Sequence, residues 1–555
     1  MTRGTRTSST EAASDAPARR MIFQRFQRCE DGSLLIFSLF LLVIMLMVTG
    51  MAVDLMRTET ERSRLQATLD RAILAGSSLN QTLNAQSVVL DYFQKAGFGS
   101  SIKASDISIS QSATGKTVSA NATLDVNSLF LNLVGVNSLA APAGGQAAES
   151  VTDIEISLVV DTSGSMGGLS ASGDTKINEL KAAAKEFVYL MQCDPDATKP
   201  FDGVCVVDPD TVSISLVPYN EQVLMGETLI QQFNTTEEHT DSSCIDFEAS
   251  DYASIPVELD PLVLDPVLGL PDPTPNLRRS ATIDPWSGGD TAVDWRRTCS
   301  PYTQRKVTAY ENTYQDLETA IDDLYASGYT SIELGMKWGA ALLDPAFRPA
   351  VTNMASNLGV ITPNFVGRPF DYDRPDTEKI VVLMTDGINT TQHLVKDGFR
   401  SGPSPFHVVP ASDAEHGGHV SVYDAVRGDY YLVDHGTRAP SPDGGPAAVQ
   451  LSYPEFWKDY SWSFFKSVAP DASLPAAVDQ VFNAEKDVRL ETMCNAAKSA
   501  GITIYTMGFE TTTASSLVME ACATTPLFFY EVTGGTISEA FHSIARNINA
   551  LRLVN

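Results

Sequence analysis

The sequence predicts an α/β protein whose doubly wound, mostly parallel sheet carries two long insertions and follows a transmembrane helix and a small α+β stalk. Three observations predict this architecture. From Asp153 onward, short apolar runs alternate with amphipathic helical patterns, as in a sheet with helices on both faces. The run KIVVLMTDG at 379–387 is apolar and ends in an acid, which is typical of a central parallel strand. Residues 33–53 carry no charge, and they predict the transmembrane helix.

The uncharged stretch is long enough to cross a hydrocarbon core about 30 Å thick. It is longer than the roughly 7–15 apolar residues of a secretory signal and continues directly into a helical pattern, which favours an uncleaved anchor over a cleaved signal. A buried core helix is the weaker alternative, because such helices keep some polar face. Residues 32–53 are therefore predicted to span the membrane once.

The charges on either side of this stretch predict its orientation. Arginines crowd the N-terminal side, whereas the first charged residues beyond the stretch include Asp54, Glu59 and Glu61. Because basic flanks stay in the cytoplasm, residues 1–31 are predicted to be a cytoplasmic tail. The rest of the chain is then exported, so we expect an inner-membrane protein with a periplasmic C-terminal domain.

The cysteines and the net charge agree with export. The chain has seven cysteines, and six lie on the predicted exported side: Cys193, Cys205, Cys244, Cys299, Cys494 and Cys522. An even exported set fits disulfides, and although the sequence leaves the pairing open, the order suggests 193–205, 244–299 and 494–522. The net charge is −29, with 39 basic and 68 acidic residues, which excludes a nucleic-acid partner.

Residues 54–150 are predicted to form the α+β stalk. Leu65, Leu69, Ala72 and Ile73 recur at helical spacing, so a helix is expected to continue out of the membrane. Alternating residues in TVSANATLDVNSLFLNLVGV predict strands, and AAPAGGQAAES at 140–150 is typical of a linker.

Residues 151–555 are predicted to form the sheet domain. Two segments of this domain, 193–305 and 388–484, do not fit the strand–helix rhythm. The first contains a proline-spaced extended stretch, and the second is rich in Gly, Pro, His and aromatic residues. Insertions this long are usually functional or disordered. We expect both to leave the sheet at the carboxyl ends of its strands, where ligands bind to such folds.

Oxygen-bearing side chains follow two of the predicted strands. Asp161, Ser163 and Ser165 form a D-x-S-x-S pattern after the strand IEISLVV, and Asp386 follows the strand at 379–385. Thr330 lies in a loop ahead of another helix. The first triplet alone occurs often by chance and could be a simple helix cap. Its position after a buried strand, with an acid after a second strand, favours a shared site.

Together these residues resemble the metal-ion-dependent adhesion site of the von Willebrand factor A domain. Matched by motif, Asp161, Ser163 and Ser165 are its triplet, Thr330 its threonine and Asp386 its distal aspartate. The resemblance implies a bound Mg²⁺ or Mn²⁺ ion, since these ions prefer hard oxygen ligands. It also implies a protein partner that presents an acidic residue to the ion.

A second resemblance covers the two ends of the exported chain and its anchor. Residues 29–77 are similar to the N-terminal segment of TadG-like proteins of the tight-adherence (Flp) pilus assembly system, and the C-terminal segments resemble the end of the A domain in that group. Phe37 stands five residues after Gly32, where a substrate of prepilin peptidase has glutamate. Cleavage as a pseudopilin is therefore not expected.

Other chemistry is weaker in the sequence. His416 and His419, near His407 and Asp413, could bind a transition metal, but a solvated glycine-rich loop is the preferred interpretation. The acids Asp194, Asp196, Asp202 and Asp208 lack EF-hand spacing. The chain has no G-x-S-x-G motif, and no enzyme is predicted.

Two hypotheses of function follow. The first is a membrane-anchored, metal-dependent binding and assembly factor of a Flp-type pilus or related adhesion system. The alternative is an A-domain subunit that delivers a client protein to an enzyme complex. Export separates the two, because a cytosolic partner enzyme cannot reach an exported domain.

Overall fold

The computed structural model describes residues 31–78, 83–111, 115–150, 153–195, 197–199, 201, 203–208, 210–264, 277–374, 376–413 and 415–554. Nearly all of the predicted cytoplasmic tail lies outside the described residues. The chain divides into two compact units, Met1–Ser150 and Val151–Asn555. The α/β class predicted from the sequence is confirmed.

The first unit is dominated by one long helix, α1 (Asp31–Ser77). Side chains 34–49 of this helix are exposed, and within the described residues α1 alone is long and apolar enough to cross a membrane. Further along, the predicted apolar stripe, from Leu65 to Ile73, is buried against the rest of the unit. The helix thus continues beyond the apolar stretch, as the sequence predicts.

A three-stranded antiparallel sheet packs against the second half of α1. Its order is β1-β2-β3, and the helix α2 completes the unit. The elements are β1 (Ile107–Gln111), β2 (Gly115–Asn127), β3 (Ser138–Ser150) and α2 (Ala85–Lys95).

The prediction of a linker at 140–150 is wrong, because these residues belong to β3 and pair with β2 along its whole length. Their small side chains let the strand lie close to α1: a Cβ added at Gly145 would be 3.1 Å from Ile73 Cδ1. Pro142 is tolerated because β3 is an edge strand. The end of the predicted strand region is also different, since Leu131–Val134 forms a 3₁₀ turn.

The second unit is built on a six-stranded sheet of order β18-β17-β9-β4-β5-β8. The strands are β4 (Asp153–Asp161), β5 (Val212–Tyr219), β8 (Thr308–Glu311), β9 (Thr377–Thr385), β17 (Thr503–Phe509) and β18 (Phe529–Val532). The first five strands in this order are parallel, and β8 pairs antiparallel to β5 at the edge. β4 lies in the middle, with Leu158 opposite Leu216 and Val382.

Helices cover both faces of this sheet. The main ones are α3 (Lys176–Gln192), α6 (Tyr314–Asp322), α7 (Ile332–Ala341), α11 (Asn483–Ser499), α12 (Thr513–Cys522) and α13 (Ile537–Val554). Alternate residues of β4 point to opposite faces, as in any strand. Leu158 and Val160 join a core with α3, α6 and α13, whereas Val159 joins a core with α7, α11 and α12.

The second insertion is a folded subdomain rather than an irregular loop. Five antiparallel strands in the order β14-β13-β12-β11-β15 pack on two short helices around an aromatic core. These elements are β11 (Pro403–Val408), β12 (Val420–Asp424), β13 (Asp429–Leu432), β14 (Thr437–Ala439), β15 (Val449–Ser452), α9 (Tyr453–Asp459) and α10 (Trp462–Val468). Near its start and its end, the strands β10 (Gln392–Val395) and β16 (Val478–Val481) form a separate antiparallel pair.

The first insertion is mostly irregular, with the short elements α4 (Gly226–Ile230), β6 (Ile245–Asp246), α5 (Pro261–Leu264), β7 (Arg278–Arg279) and α8 (Arg348–Thr352) in or near it. Its Ala281 and Ile283 enter the aromatic core of the second insertion. Residues 220–307 leave the carboxyl end of β5 as expected, but 193–211 join α3 to its amino end. The expectation that the whole of 193–305 leaves at the carboxyl end is therefore wrong.

Three disulfides are present, and their pairing is the one that the sequence order suggests: Cys193–Cys205, Cys244–Cys299 and Cys494–Cys522. The first closes the loop after α3, and the second lies within the first insertion. The third ties α11 to α12.

Candidate metal-binding site at the carboxyl end of the sheet

The first group of predicted site residues meets where β4 and β9 end. These strands are parallel neighbours, with Val160 opposite Met384, so Asp161, the last residue of β4, and Asp386, which follows β9, lie at the same end of the sheet. The Asp161 side chain is completely buried, and Asp386 is nearly so. The fold therefore holds two carboxyl groups close together in a site with little solvent.

Hydrogen bonds connect four of the five predicted residues. The Ser163 amide donates to Asp161 Oδ1 at 2.7 Å, and the Ser163 and Ser165 hydroxyls lie 3.0 Å apart. Ser165 Oγ donates to Asp386 Oδ1 at 2.6 Å. Thr385 Oγ1 donates to the other oxygen of Asp161 at 2.8 Å, a contact that the motif did not indicate.

Thr330 is brought to the same end of the sheet by its backbone. The loop before α7 contacts the loop after β4, because the Gly164 amide donates to Gly328 O at 2.9 Å and the Ser327 amide donates to Thr162 O at 2.9 Å. Gly328 has φ +85°, and a Cβ there would lie 2.5 Å from Asn220 Nδ2, so glycine is required. Among the described residues, no hydrogen bond joins the Thr330 side chain to the other four.

A buried lysine holds the Thr330 loop in place through hydrogen bonds. Lys486 Nζ donates to Thr330 O at 2.7 Å, to Ser331 Oγ at 2.6 Å and to Thr390 O at 2.9 Å. Glu333 lies 3.5 Å from the same ammonium group, and burial raises the pKa of Glu333 to about 7. The sequence gives no signal for Lys486, which sits in a charged helix typical of a protein surface.

The two carboxyl groups perturb each other. Burial, and then the charge of Asp386, raise the pKa of Asp161 to about 7. Lys176 Nζ lies 3.1 Å from Asp386 Oδ2 and its side chain is 13% exposed. This lysine, at the start of α3, partly balances the negative charge of the site. Like Lys486, it is not part of the motif and was not predicted from the sequence.

The donor set fits a hard divalent cation. Two carboxyl groups and two hydroxyls converge, and every one of these side-chain donors is an oxygen, which Mg²⁺ and Mn²⁺ prefer. Burial and the neighbouring Asp386 raise the pKa of Asp161, so the site disfavours a second bare carboxylate charge, and a divalent ion would neutralise it. Asp161, Ser163, Ser165 and Asp386 are the residues that would hold it, with Thr330 alongside.

Aromatic residues from both insertions line the edge of the site next to Thr330. The rings of Trp286 and Tyr329 have centroids 3.6 Å apart, and His393 lies 5.4 Å from Tyr329 and 5.0 Å from Trp462. Trp286 remains partly exposed. The insertions thus place aromatic rings around Tyr329, the residue before Thr330.

The other groups considered in the sequence have different surroundings. Asp413 accepts hydrogen bonds from the amides of Glu415 and His416, and His407 Nδ1 lies 3.2 Å from Pro405 O. Asp196 and Asp202 lie outside the described residues.

Comparison with known proteins identifies the N-terminal segment. Residues 32–86 match the family described as putative Flp pilus-assembly TadE/G-like. The resemblance to this family, predicted from the sequence of the anchor, is confirmed over these residues. No curated protein matches the chain.

Several solved structures resemble the chain at low sequence identity. The von Willebrand factor domain of the type V pilus tip protein Mfa5 from Porphyromonas gingivalis is 14% identical, with a TM-score of 0.30 over 73% of this chain and 98% of that one. PilB, a minor pilin from Streptococcus sanguinis, is 12% identical (TM-score 0.28; 81% and 77% covered). The pilus adhesin SpaC from Lactobacillus rhamnosus GG is 11% identical (TM-score 0.29; 80% and 34% covered).

Proposed function

We propose that the chain is a membrane-anchored, metal-dependent binding and assembly factor of a Flp-type pilus or related adhesion system, and that it is not an enzyme. Its second unit is a doubly wound, von Willebrand factor A-like domain with two insertions. Its site holds Mg²⁺ or Mn²⁺ through Asp161, Ser163, Ser165, Thr330 and Asp386. The helix α1 anchors it in the inner membrane, with the N-terminus in the cytoplasm and the second unit in the periplasm.

The observation that carries this proposal is the convergence of oxygen donors from two distant parts of the chain. Ser165 and Asp386 are separated by 221 positions, yet their side chains are hydrogen-bonded. When bound, the ion supplies an electrophilic position for a partner's carboxylate. The chain's own residues keep the two acids together, and the aromatic rings of Trp286 and Tyr329 offer the partner an adjoining contact surface.

The pilus assignment rests on the TadE/G-like segment at 32–86. We infer that the partner is a pilus-assembly component with an accessible acidic residue. An acidic chain of net charge −29 would repel such a partner without a cation at the contact.

The metal can be tested on the full-length chain in detergent by calorimetric titration with Mg²⁺. Asp161→Ala and Asp386→Ala are each expected to abolish measurable binding, since both acids face one ion, while the helix signal in circular dichroism is retained. Asp371→Asn is the matched control, because Asp371 is an exposed acid paired with Arg348. An unchanged Mg²⁺ affinity in both site variants would indicate that the loop after β4 is only a helix cap.

The partner can be tested by crosslinking in cells and co-purification. Partner recovery is expected with Mg²⁺, to be lost in EDTA and in Asp386→Ala, and to persist in Asp371→Asn. Partner recovery that is unchanged by EDTA and by Asp386→Ala would contradict a metal-mediated contact.

The topology needs its own test, because it separates this function from client delivery to a cytosolic enzyme. A reporter that is active only in the periplasm, fused after Asn555, is expected to be active and to remain with the membrane fraction. Activity of a cytoplasmic reporter at the same position would favour the delivery function instead.

A further inference from the structure

Three histidines and one aspartate meet at one end of the second insertion's sheet. His419 directly precedes β12, His435 lies in the turn between β13 and β14, and Asp443 follows β14. These three strands are antiparallel neighbours, with Ser421 opposite Leu432 and Leu432 opposite Thr437. The start of β12 and the β13–β14 turn therefore lie side by side, and the segment after β14 returns to them, because the Asp443 amide donates to Ser421 Oγ.

The distances place all three imidazoles around one carboxyl group. His419 Nδ1 and His435 Nε2 lie 2.9 and 2.8 Å from Asp443 Oδ2, and His416 Nδ1 lies 3.1 Å from Oδ1. Neighbouring ring centroids are 5.6 Å apart, both for His416 and His419 and for His419 and His435. Ligand atoms of His416, His419 and Asp443 lie within 4.8 Å of one another.

The cluster is held in place by its backbone. The Asp443 amide donates to Ser421 Oγ at 2.9 Å, the His419 amide donates to His416 O at 2.9 Å, and the Val409 amide donates to His419 O at 3.0 Å. Asp443 is buried, whereas the imidazoles are partly exposed, so an ion can enter from solvent.

One imidazole nitrogen of the cluster has no hydrogen bond to a described residue. His416 Nδ1 is buried and makes no hydrogen bond to a described residue, despite its proximity to Asp443. Two imidazole nitrogens and one carboxylate, with water in the fourth position, are a ligand set that suits Zn²⁺, which binds imidazole and carboxylate in tetrahedral sites. The oxygen-only set at the end of the main sheet suits a harder ion, so the two sites differ in ligand chemistry.

We propose that His416, His419 and Asp443 bind one Zn²⁺ ion, and that His435 orients the Asp443 carboxylate through its hydrogen bond to Oδ2. The ion joins the glycine-rich loop before β12 to the segment after β14. The proposal is independent of the Mg²⁺ site, because none of its residues belongs to that site. It replaces the solvated loop expected from the sequence, with Asp443 as the third ligand in place of His407 or Asp413.

The test uses the full-length chain in detergent, with Mg²⁺ in excess to saturate the other site. Wild-type protein is expected to bind one Zn²⁺ per chain by competition with a chromophoric chelator, and Co²⁺ alone is expected to give the intense visible absorption of tetrahedral coordination. His419→Ala and Asp443→Asn are expected to weaken Zn²⁺ binding by roughly 100-fold or more, since even outer partners of metal ligands contribute about 10–100-fold.

His407→Ala is the matched control, because His407 lies in β11 of the same subdomain and outside the cluster. It is expected to bind Zn²⁺ like wild type, as is Asp386→Ala. Three results would overturn the proposal: no stoichiometric Zn²⁺ in the wild type, equal affinity in His419→Ala, or an equal loss in His407→Ala. The Co²⁺ spectrum of the wild type decides the matter even if a variant fails to fold.

A second inference concerns the loop between β2 and β3. Five of its apolar side chains are exposed, namely Leu129, Phe130, Leu133, Val134 and Val136, with Leu133 at 77%. The Asp54 carboxylate accepts hydrogen bonds from the amides of Leu129, Phe130 and Leu131 at 2.8–2.9 Å. A Cβ added at Gly50 would lie 2.6 Å from the Phe130 side chain, so this loop is fixed against α1.

The contact on α1 lies where its apolar stretch ends. Residues 33–53 are uncharged and Asp54 is the first acid beyond them, so the loop is held at the level of the membrane surface if α1 spans the bilayer. We infer that residues 129–136 insert into the lipid interface beside α1. Apolar side chains favour this position because insertion removes their surface from water.

Lipid insertion can be measured in vesicles of phosphatidylethanolamine and phosphatidylglycerol that contain the full-length chain. Leu133→Cys, with Cys29→Ser so that only the new thiol is labelled, carries an environment-sensitive fluorophore. Its emission is expected to shift to shorter wavelength and to be quenched by lipids with nitroxide on the acyl chain.

The control is Leu74→Cys on the same helix, which is exposed and lies 20 residues beyond Asp54, roughly 30 Å along the helix axis. It is expected to show neither change. A blue shift at position 133 without lipid quenching would assign the loop to a second protein copy instead, and an unshifted label would leave it in water. Either result contradicts insertion.

Discussion

The interaction of Lys176 with the candidate metal site makes a specific prediction. Lys176 Nζ lies 3.1 Å from Asp386 Oδ2, and the lysine side chain is largely buried. An ammonium group at this position and a divalent cation compete for the same carboxylate. Removing the ammonium group by Lys176→Gln is therefore expected to raise the affinity for Mg²⁺.

The distance gives the size of the effect. Two unit charges 3.1 Å apart attract each other by about 5 kcal/mol at an effective dielectric constant near 20, before the cost of desolvation is subtracted. If a quarter of this gross attraction is lost when the ion binds, the penalty is about 1.4 kcal/mol, which corresponds to a tenfold change in affinity. Lys176→Gln is expected to strengthen Mg²⁺ binding by about tenfold or more.

The assay is calorimetric titration of Mg²⁺ into the full-length chain in detergent, at constant ionic strength. Lys181→Gln is the matched control, because Lys181 is on the same helix but donates to Asp322 O at 2.9 Å, away from the two acids. An unchanged or weaker affinity in Lys176→Gln would refute competition and would make the lysine a residue that positions Asp386.

Three further predictions concern pH and redox state. Because the pKa of Asp161 is raised to about 7 and metal ligands must lose their proton, Mg²⁺ affinity is expected to fall about tenfold per pH unit below about pH 7; a flat titration series would contradict this. Burial raises the pKa of Glu311 to about 7, so the folded state keeps this proton while the unfolded state releases it, and stability falls as pH rises between about 4.5 and 7. The melting temperature of Glu311→Gln, relative to that of the wild type, should therefore rise from about pH 4 to pH 8. A difference that does not change with pH would exclude Glu311 as the cause. The Cys494–Cys522 bond closes a loop of 28 residues, so replacing both cysteines with alanine should cost about 3–4 kcal/mol in denaturant unfolding, and no loss would refute the constraint.

The sequence by itself determined the elements whose signals are local. The uncharged stretch of α1 and the periodicity of the sheet domain describe features that neighbouring residues establish among themselves. The proximity of Asp161 and Asp386 belongs here too, because Asp161 ends one buried strand and Asp386 follows another. Parallel neighbours in a sheet bring their carboxyl ends to one edge, so the proximity of these acids follows once the strands are recognised.

Features that depend on contacts between distant residues were decided by the tertiary structure. The segment at 140–150 has the small residues of a linker, and it becomes a strand because those residues fit between β2 and α1. Strand formation there depends on packing rather than on intrinsic preference.

The same reason explains the lysines and histidines that the sequence did not reveal. Lys176 and Lys486 occur in helices whose composition is typical of a surface, and they gain their roles from Asp386 and Thr330, which lie 210 and 156 positions away. Antiparallel pairing places His435 beside His419, and Asp443 joins them because the segment after β14 turns back to Ser421. Local sequence carries propensity and period, whereas charge pairs and ligand sets depend on which distant chain segments fold together.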